Sequence, residues 1–244
     1  MDAMYITELG MLNDVQQMHA ISNNLANSNT AGFKKEIAVA RSFSDYLELD
    51  IPGREGVAGL AVSRPYVTTA TDYSNGALKF TGNPLDLAIE GAGYFVLSTD
   101  LGATYTRQGG FRVDENGRLV GANGMPVMGV SGEIRLTTPE PRVDAQGVVW
   151  EGGAEVGQIR VVRIDNPQTL VKRGAGVFEA TELTEVGEPD SARVRQGFAE
   201  TANVVLMGEM VKMMETMRHF ETSQRVIHSY DTMLDRGINL IGEL

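Results

Sequence analysis

Cysteine is absent from the chain. That removes disulfides, thiol catalysis and cysteine-ligated zinc together. Histidine is scarce, with only His19, His219 and His228. No cluster of carboxylates at ligand spacing accompanies them, so no metal site is expected. Basic residues are in deficit: 21 Lys and Arg stand against 32 Asp and Glu, a net charge of −11. This argues against nucleic-acid binding, which needs a basic face, and against docking on an anionic membrane. No apolar run approaches the ~18 residues of a membrane span. The amino terminus, Met1 to Glu8, lacks the basic segment and apolar stretch of a cleaved leader. If the protein is exported, the expected route cuts no leader.

Catalytic signatures are missing as well. Gly91-Ala92-Gly93 lacks the third glycine and following helix of a dinucleotide fingerprint. Asp114-Glu115-Asn116-Gly117 lacks the twelve-position ligand pattern of a calcium loop and reads as a hairpin turn. There is no Gly-x-Ser-x-Gly elbow and no Walker-type loop. The expectation is a protein that is not an enzyme and carries no cofactor. Hydrophobic residues make up 42% of the 244, enough for a substantial core.

What is present differs between the ends and the middle. From Ala3 to Asn27 there is no proline, and Met4, Met11, Met18 and Leu25 recur every seven residues. The spacing predicts an amphipathic helix with a narrow apolar seam. Asn23, Asn24, Asn27 and Asn29 crowd its end and suit a helix exit. At the carboxyl end a 4-3 alternation runs through Leu206, Met210, Met213, Met217, Phe220, Gln224, Ile227, Asp231, Leu234, Ile238 and Ile241. A coiled-coil-like helix of roughly 38 residues would reach about 57 Å. The two seams are expected to form an assembly interface. The methionines suit a surface that repacks against several neighbours.

The middle is rich in glycine and β-branched residues. Leu87-Ala88-Ile89 and Tyr94 to Leu97 flank Glu90 to Gly93 and predict a hairpin; Phe111 to Val113 and Arg118 to Val120 predict another. Arg112-Val113-Asp114 with Gly117 is echoed by Arg142-Val143-Asp144 with Gly147. The expected fold class is α+β. Long terminal helices (1–34 and 203–244) pair as a coiled-coil-like domain, an extended connector covers 35–72, and a mostly antiparallel β domain covers 73–202. A helix at each end that pairs with the other places the two termini in one domain.

Several segments resemble a known family. Ser22 to Lys34, with Asn23, Asn24, Leu25, Ala26, Asn27, Thr30, Gly32 and Phe33, is similar to the amino-terminal signature of flagellar rod and hook proteins. Thr81 to Gly91 and Tyr105 to Phe111 resemble the start of their β domain. Asn203-Val204, Glu209-Met210-Val211 and Arg218 to Glu221 resemble their last helix. Val205 and Gly208 stand where the family usually has Asn and Glu. Within the family the chain looks most like the proximal rod type. The resemblance implies a structural axial subunit that leaves through the flagellar type III export apparatus. It would assemble helically with itself and with other proximal and distal rod proteins across the periplasm, without membrane insertion. The alternatives are a distal rod or hook-type subunit, or a monomeric binding module whose helices cap its own β domain. The asparagine-rich motif has both a structural reading and one as an export signal.

Overall fold

The computed structural model describes residues 2–41, 66–99, 102–138, 140–188 and 192–242. The architecture is α+β, with one helix at each end and antiparallel strands between. It divides into a helical unit (Met1–Ala26, Glu36–Asp72 and Val205–Leu244) and a β unit (Asn27–Lys35 and Tyr73–Val204).

In the helical unit, helix α1 (Asp2–Ala26) packs along helix α2 (Leu206–Gly242). The most buried residues of α1 are Asp14, Ala20, Ile21 and Asn24. On α2, Glu209 and Thr216 are buried, and Met213, Phe220, Ser223 and Ile227 are half-buried. These α2 positions also alternate by four and three, so they form one stripe. Thr216 Oγ1 donates to the Lys212 carbonyl within the helix (2.9 Å), and the buried Asp14 of α1 lies with its Oδ2 2.7 Å from His219 Nδ1 on α2. His219 thus meets a carboxylate of α1, and His19 is exposed.

The segment read as an extended connector is ordered at its ends. Glu36–Arg41 and Tyr66–Thr71 form an antiparallel ladder in register from Glu36↔Thr71 to Arg41↔Tyr66. β-branched residues on both strands (Ile37, Val39, Val67, Thr68, Thr69) favour the pairing. The intervening 42–65 lie outside the described residues.

The β unit is built on a six-stranded sheet in the order Val171–Gly174, Val177–Glu179, Gly102–Thr106, Tyr94–Thr99, Val161–Ile164, Val186–Gly187. Tyr94–Thr99 is central and apolar on both faces. Phe95 and Leu97 enter one core with Leu87, Phe111, Leu119 and Val149. Tyr94 and Val96 enter the other with Tyr105, Val162 and Phe178. The expected hairpin between residues 87–89 and 94–97 does not form. Leu87–Glu90 pairs instead with Arg193–Gln196, and Tyr94–Thr99 pairs with Gly102–Thr106 and Val161–Ile164. A strand buried on both faces gains more from the middle of a large sheet than from a local turn.

The second expected hairpin and its echo do form. Arg112–Val113 pairs with Leu119–Val120, and Arg142–Val143 with Val148–Glu151. Asp114 Oδ1 accepts the amides of Asn116 (2.9 Å) and Arg118 (2.8 Å). Asp144 Oδ1 accepts those of Gln146 and Val148 (both 2.9 Å). Gly117 and Gly147 close the two turns at φ 76° and 81°, a conformation that favours glycine. The short sequence repeat is therefore a repeated turn.

Burial of Tyr94 makes this unit lose stability at alkaline pH. The Tyr94 side chain is 5% exposed, and its hydroxyl is pushed up to about 12 by burial, against the opposing pull of the nearby Arg107 charge. In the unfolded chain the phenol ionises near 10. The contribution is complete below pH 10 and is lost as pH rises towards 12, about 2–3 kcal/mol in all. Urea unfolding across that interval should show the loss, and Tyr94→Phe should flatten it. An unchanged pH slope in that variant would show that another group is responsible.

Candidate functional site

The asparagine-rich end of α1 holds the helical unit together. Asn24 is 1% exposed. Its Oδ1 accepts the Glu36 amide (2.8 Å) and its Nδ2 donates to the Glu36 carbonyl (2.8 Å), as a neighbouring strand would. Nδ2 also donates to Glu209 Oε2 (3.1 Å). Glu209 lies in the first turn of α2, where the helix dipole favours a carboxylate. One amide thereby ties α1, the strand after it and the start of α2. Asn23 Nδ2 donates to Glu36 Oε2 (3.0 Å).

The remainder of the motif belongs to the β unit and leads into a buried ionic cluster. Gly32, at φ 66°, donates its amide to the Glu200 carbonyl (2.8 Å). A Cβ there would lie 2.7 Å from the Arg107 backbone, so both conformation and space require glycine. Lys34, Arg107 and Glu200 are 1%, 4% and 2% exposed. Lys34 Nζ reaches Glu200 Oε1 at 2.7 Å and donates to the Ser74 carbonyl (2.8 Å). Gly76 donates its amide to the same Oε1 (2.9 Å). Arg107 Nη1 lies 3.3 Å from Glu200 Oε2, and Arg107 Nη2 donates to the Gly91 carbonyl (2.7 Å). Burial pushes the Arg107 guanidinium down from its ordinary value, and the Glu200 charge opposes that shift. Beside the cluster, Asn203 Oδ1 accepts the Lys35 amide (2.7 Å) and its Nδ2 donates to the Ser74 carbonyl (3.2 Å). Segments 32–35, 74–76 and 200–203 are thus bound into one clamp.

The chemistry of this clamp is cohesive. Its carboxylate oxygens are occupied by cations and an amide, in an interior that admits almost no water. Among the described residues no three His, Asp or Glu side chains converge as a metal site.

The residues expected at an assembly seam fall into groups. Met213, Phe220 and Ile227 are half-buried, as are Met11, Met18 and Leu25. Leu206, Met210, Met217 and Leu234 on α2 are 43–50% exposed, and Met4 is 40% exposed. Ile238 and Ile241 lie outside the residues whose side chains are described. Met207, Val211 and Met214 add to the exposed apolar face of α2. The buried polar residues Lys34, Arg107, Glu200 and Glu209, and the half-buried Asn203, were given no role by hydropathy. All but Glu200 sit inside the quoted motifs, and that placement was the available signal.

The chain matches three family models in order. Residues 4–34 match the flagella basal body rod protein family, 88–159 the D1 domain of the flagellar hook protein FlgE/F/G family, and 195–240 the carboxyl-terminal region of the flagellar basal body rod FlgEFG proteins. Compared with the flagellar basal-body rod protein FlgG of Bacillus subtilis, it is 30% identical over 95% of this chain and 96% of that protein. The chain belongs to the flagellar basal-body rod protein family. The FlgF rod proteins of Mesorhizobium japonicum and Caulobacter vibrioides are each 28% identical to it, over 99% and 100% of this chain and 98% and 99% of theirs. The first family match ends at Lys34, and the last contains Glu200, Asn203 and Glu209. Both polar joints therefore draw on segments that these family matches cover.

Proposed function

We propose that the protein is a non-catalytic structural subunit of the flagellar rod, of the proximal FlgF type. It leaves through the type III export apparatus and assembles helically in the periplasm with its own copies and with other rod proteins. Its terminal helices line the inner tube as a coiled-coil-like layer. Full-length likeness to rod proteins supports the class. Asp165-Asn166-Pro167 followed by Gly174, Gly176 and Phe178 supports the proximal type.

The observation that carries the assembly reading is the second apolar face of α2. Its α1-facing stripe is occupied, yet Met207, Met210, Val211, Met214 and Met217 remain 44–71% exposed. A stable monomer rarely leaves such a stripe in water. Met217→Asp is expected to leave both units folded and to remove the protein from isolated basal bodies, with loss of motility. Each repeated contact would have to bury a carboxylate, at about 2–3 kcal/mol or more. Met213→Asp and Ile227→Asp should block incorporation too, but these also disturb the packing on α1. Gln224→Glu, at a position already polar, should be much milder. Normal basal bodies containing Met217→Asp, with secretion scored separately, would contradict the assembly role of this face.

A further inference from the structure

The β unit carries two surface features that no other described residue covers, and they are opposite in sign. In the short ladder of Leu78–Phe80 with Phe198–Glu200, Phe80 stands directly opposite Phe198. Their rings meet edge-on with centroids 5.3 Å apart, yet Phe80 is 68% exposed. The Arg195 guanidinium lies 4.6 Å from the Phe198 ring centroid. Arg193, two residues earlier on the strand Arg193–Gln196, is on the same face and also exposed. Arg193 makes no ion pair among the described residues, and Arg195 has only a long contact with Glu90 (3.8 Å). On a chain of net charge −11, an aromatic platform bordered by two arginines is a local exception.

Its counterpart is the segment 181–188. Glu182, Glu185 and Glu188 are exposed there with no basic residue between them. Leu183 projects among them at 80% exposed. None of these carboxylates forms an ion pair among the described residues. A leucine surrounded by carboxylates complements phenylalanines surrounded by arginines. Apolar contact supplies the attraction, and the charges fix sign and register.

We propose that the Phe80–Phe198 platform, with Arg193 and Arg195, receives the acidic Leu183 segment of a second copy of this chain. The two patches differ, so the contact is heterologous and propagates from copy to copy instead of closing into a pair. The proposal rests on the reading of the chain as an axial subunit and adds a contact between β units to the one between helices.

The natural absence of cysteine allows a direct test on the full-length chain. Glu90→Cys places a thiol beside the arginines, since Glu90 faces Arg193 in the ladder. Glu182→Cys places one beside Leu183. With a short bismaleimide, a mixture of the two variants should give cross-linked dimers, each variant alone should give none, and the double variant should give a ladder of multimers. Arg193→Glu with Arg195→Glu, or Leu183→Ser, should lower the yield about tenfold; circular dichroism on each variant establishes that it is folded. No dimer in the mixture would overturn the proposal, as would Glu90→Cys alone cross-linking as well as the mixture, because the platform would then meet itself or another occupant. A yield that ignores the charge reversal would also overturn it. Basal-body fractions separate this contact from the rod reading: a chain present there but never cross-linked refutes the contact alone, and a chain absent from them refutes the rod reading.

Discussion

Replacing Glu200 by alanine is expected to destabilise the β unit by about 3–5 kcal/mol, the scale for breaking one side of a buried ion pair. Lys34 and Arg107 are 1% and 4% exposed, so neither cation can turn to water when the carboxylate goes. The Gly76 amide loses its acceptor as well. Glu200→Gln keeps the shape and one acceptor oxygen and should fall between alanine and the native residue. Glu155→Ala, on an exposed position, should change stability by less than about 0.5 kcal/mol. Trp150, the single tryptophan, lies in this unit and reports its unfolding in urea. A Glu200→Ala midpoint equal to that of the native chain would mean that the cations find other partners.

Asn24→Ala should cost the helical unit about 2–4 kcal/mol, because both Glu36 backbone groups and the Glu209 carboxylate would lose a partner in a buried place. Asn24→Asp is a sharper variant. It preserves size but turns an oxygen towards the Glu36 carbonyl and the Glu209 carboxylate, and should be at least as damaging. Asn29 is exposed, and Asn29→Ala should change stability by less than about 0.5 kcal/mol. Amide exchange along α1 is the measurement, with secretion scored in parallel. Native-like protection in Asn24→Ala together with failed export would move this residue from architecture to signalling.

How far these features could be read in the sequence depended on how local their causes are. The Asp114 and Asp144 turns were legible because each carboxylate bonds amides two and four residues ahead. The terminal helices were legible for the same reason, since their periodicity is continuous. The strand Leu87–Glu90 was misassigned because its true partner, Arg193–Gln196, lies about a hundred residues on, and Glu90 to Gly93 imitates a turn. In α2 the hydropathy alternation found Met213, Phe220 and Ile227 but passed over Glu209, Thr216 and Ser223, which share their stripe. A scale that counts polar residues as outward cannot see a carboxylate matched by an asparagine from α1. Lys34, Arg107 and Glu200 were invisible in the same way, because a charge is buried only by virtue of partners far along the chain.

The clamp also bears on how the molecule takes load. The chain passes between its units at 26/27, 35/36, 72/73 and 204/205. The last three passages lie within two residues of Lys34, Ser74 and Asn203, and the Ser74 carbonyl accepts from both Lys34 and Asn203. Tension entering along any one of these segments is divided among the other two before it reaches the sheet. Within the β unit the three segments thus share one anchorage, so a pull on one of them is met by hydrogen bonds to its neighbours as well as by its own.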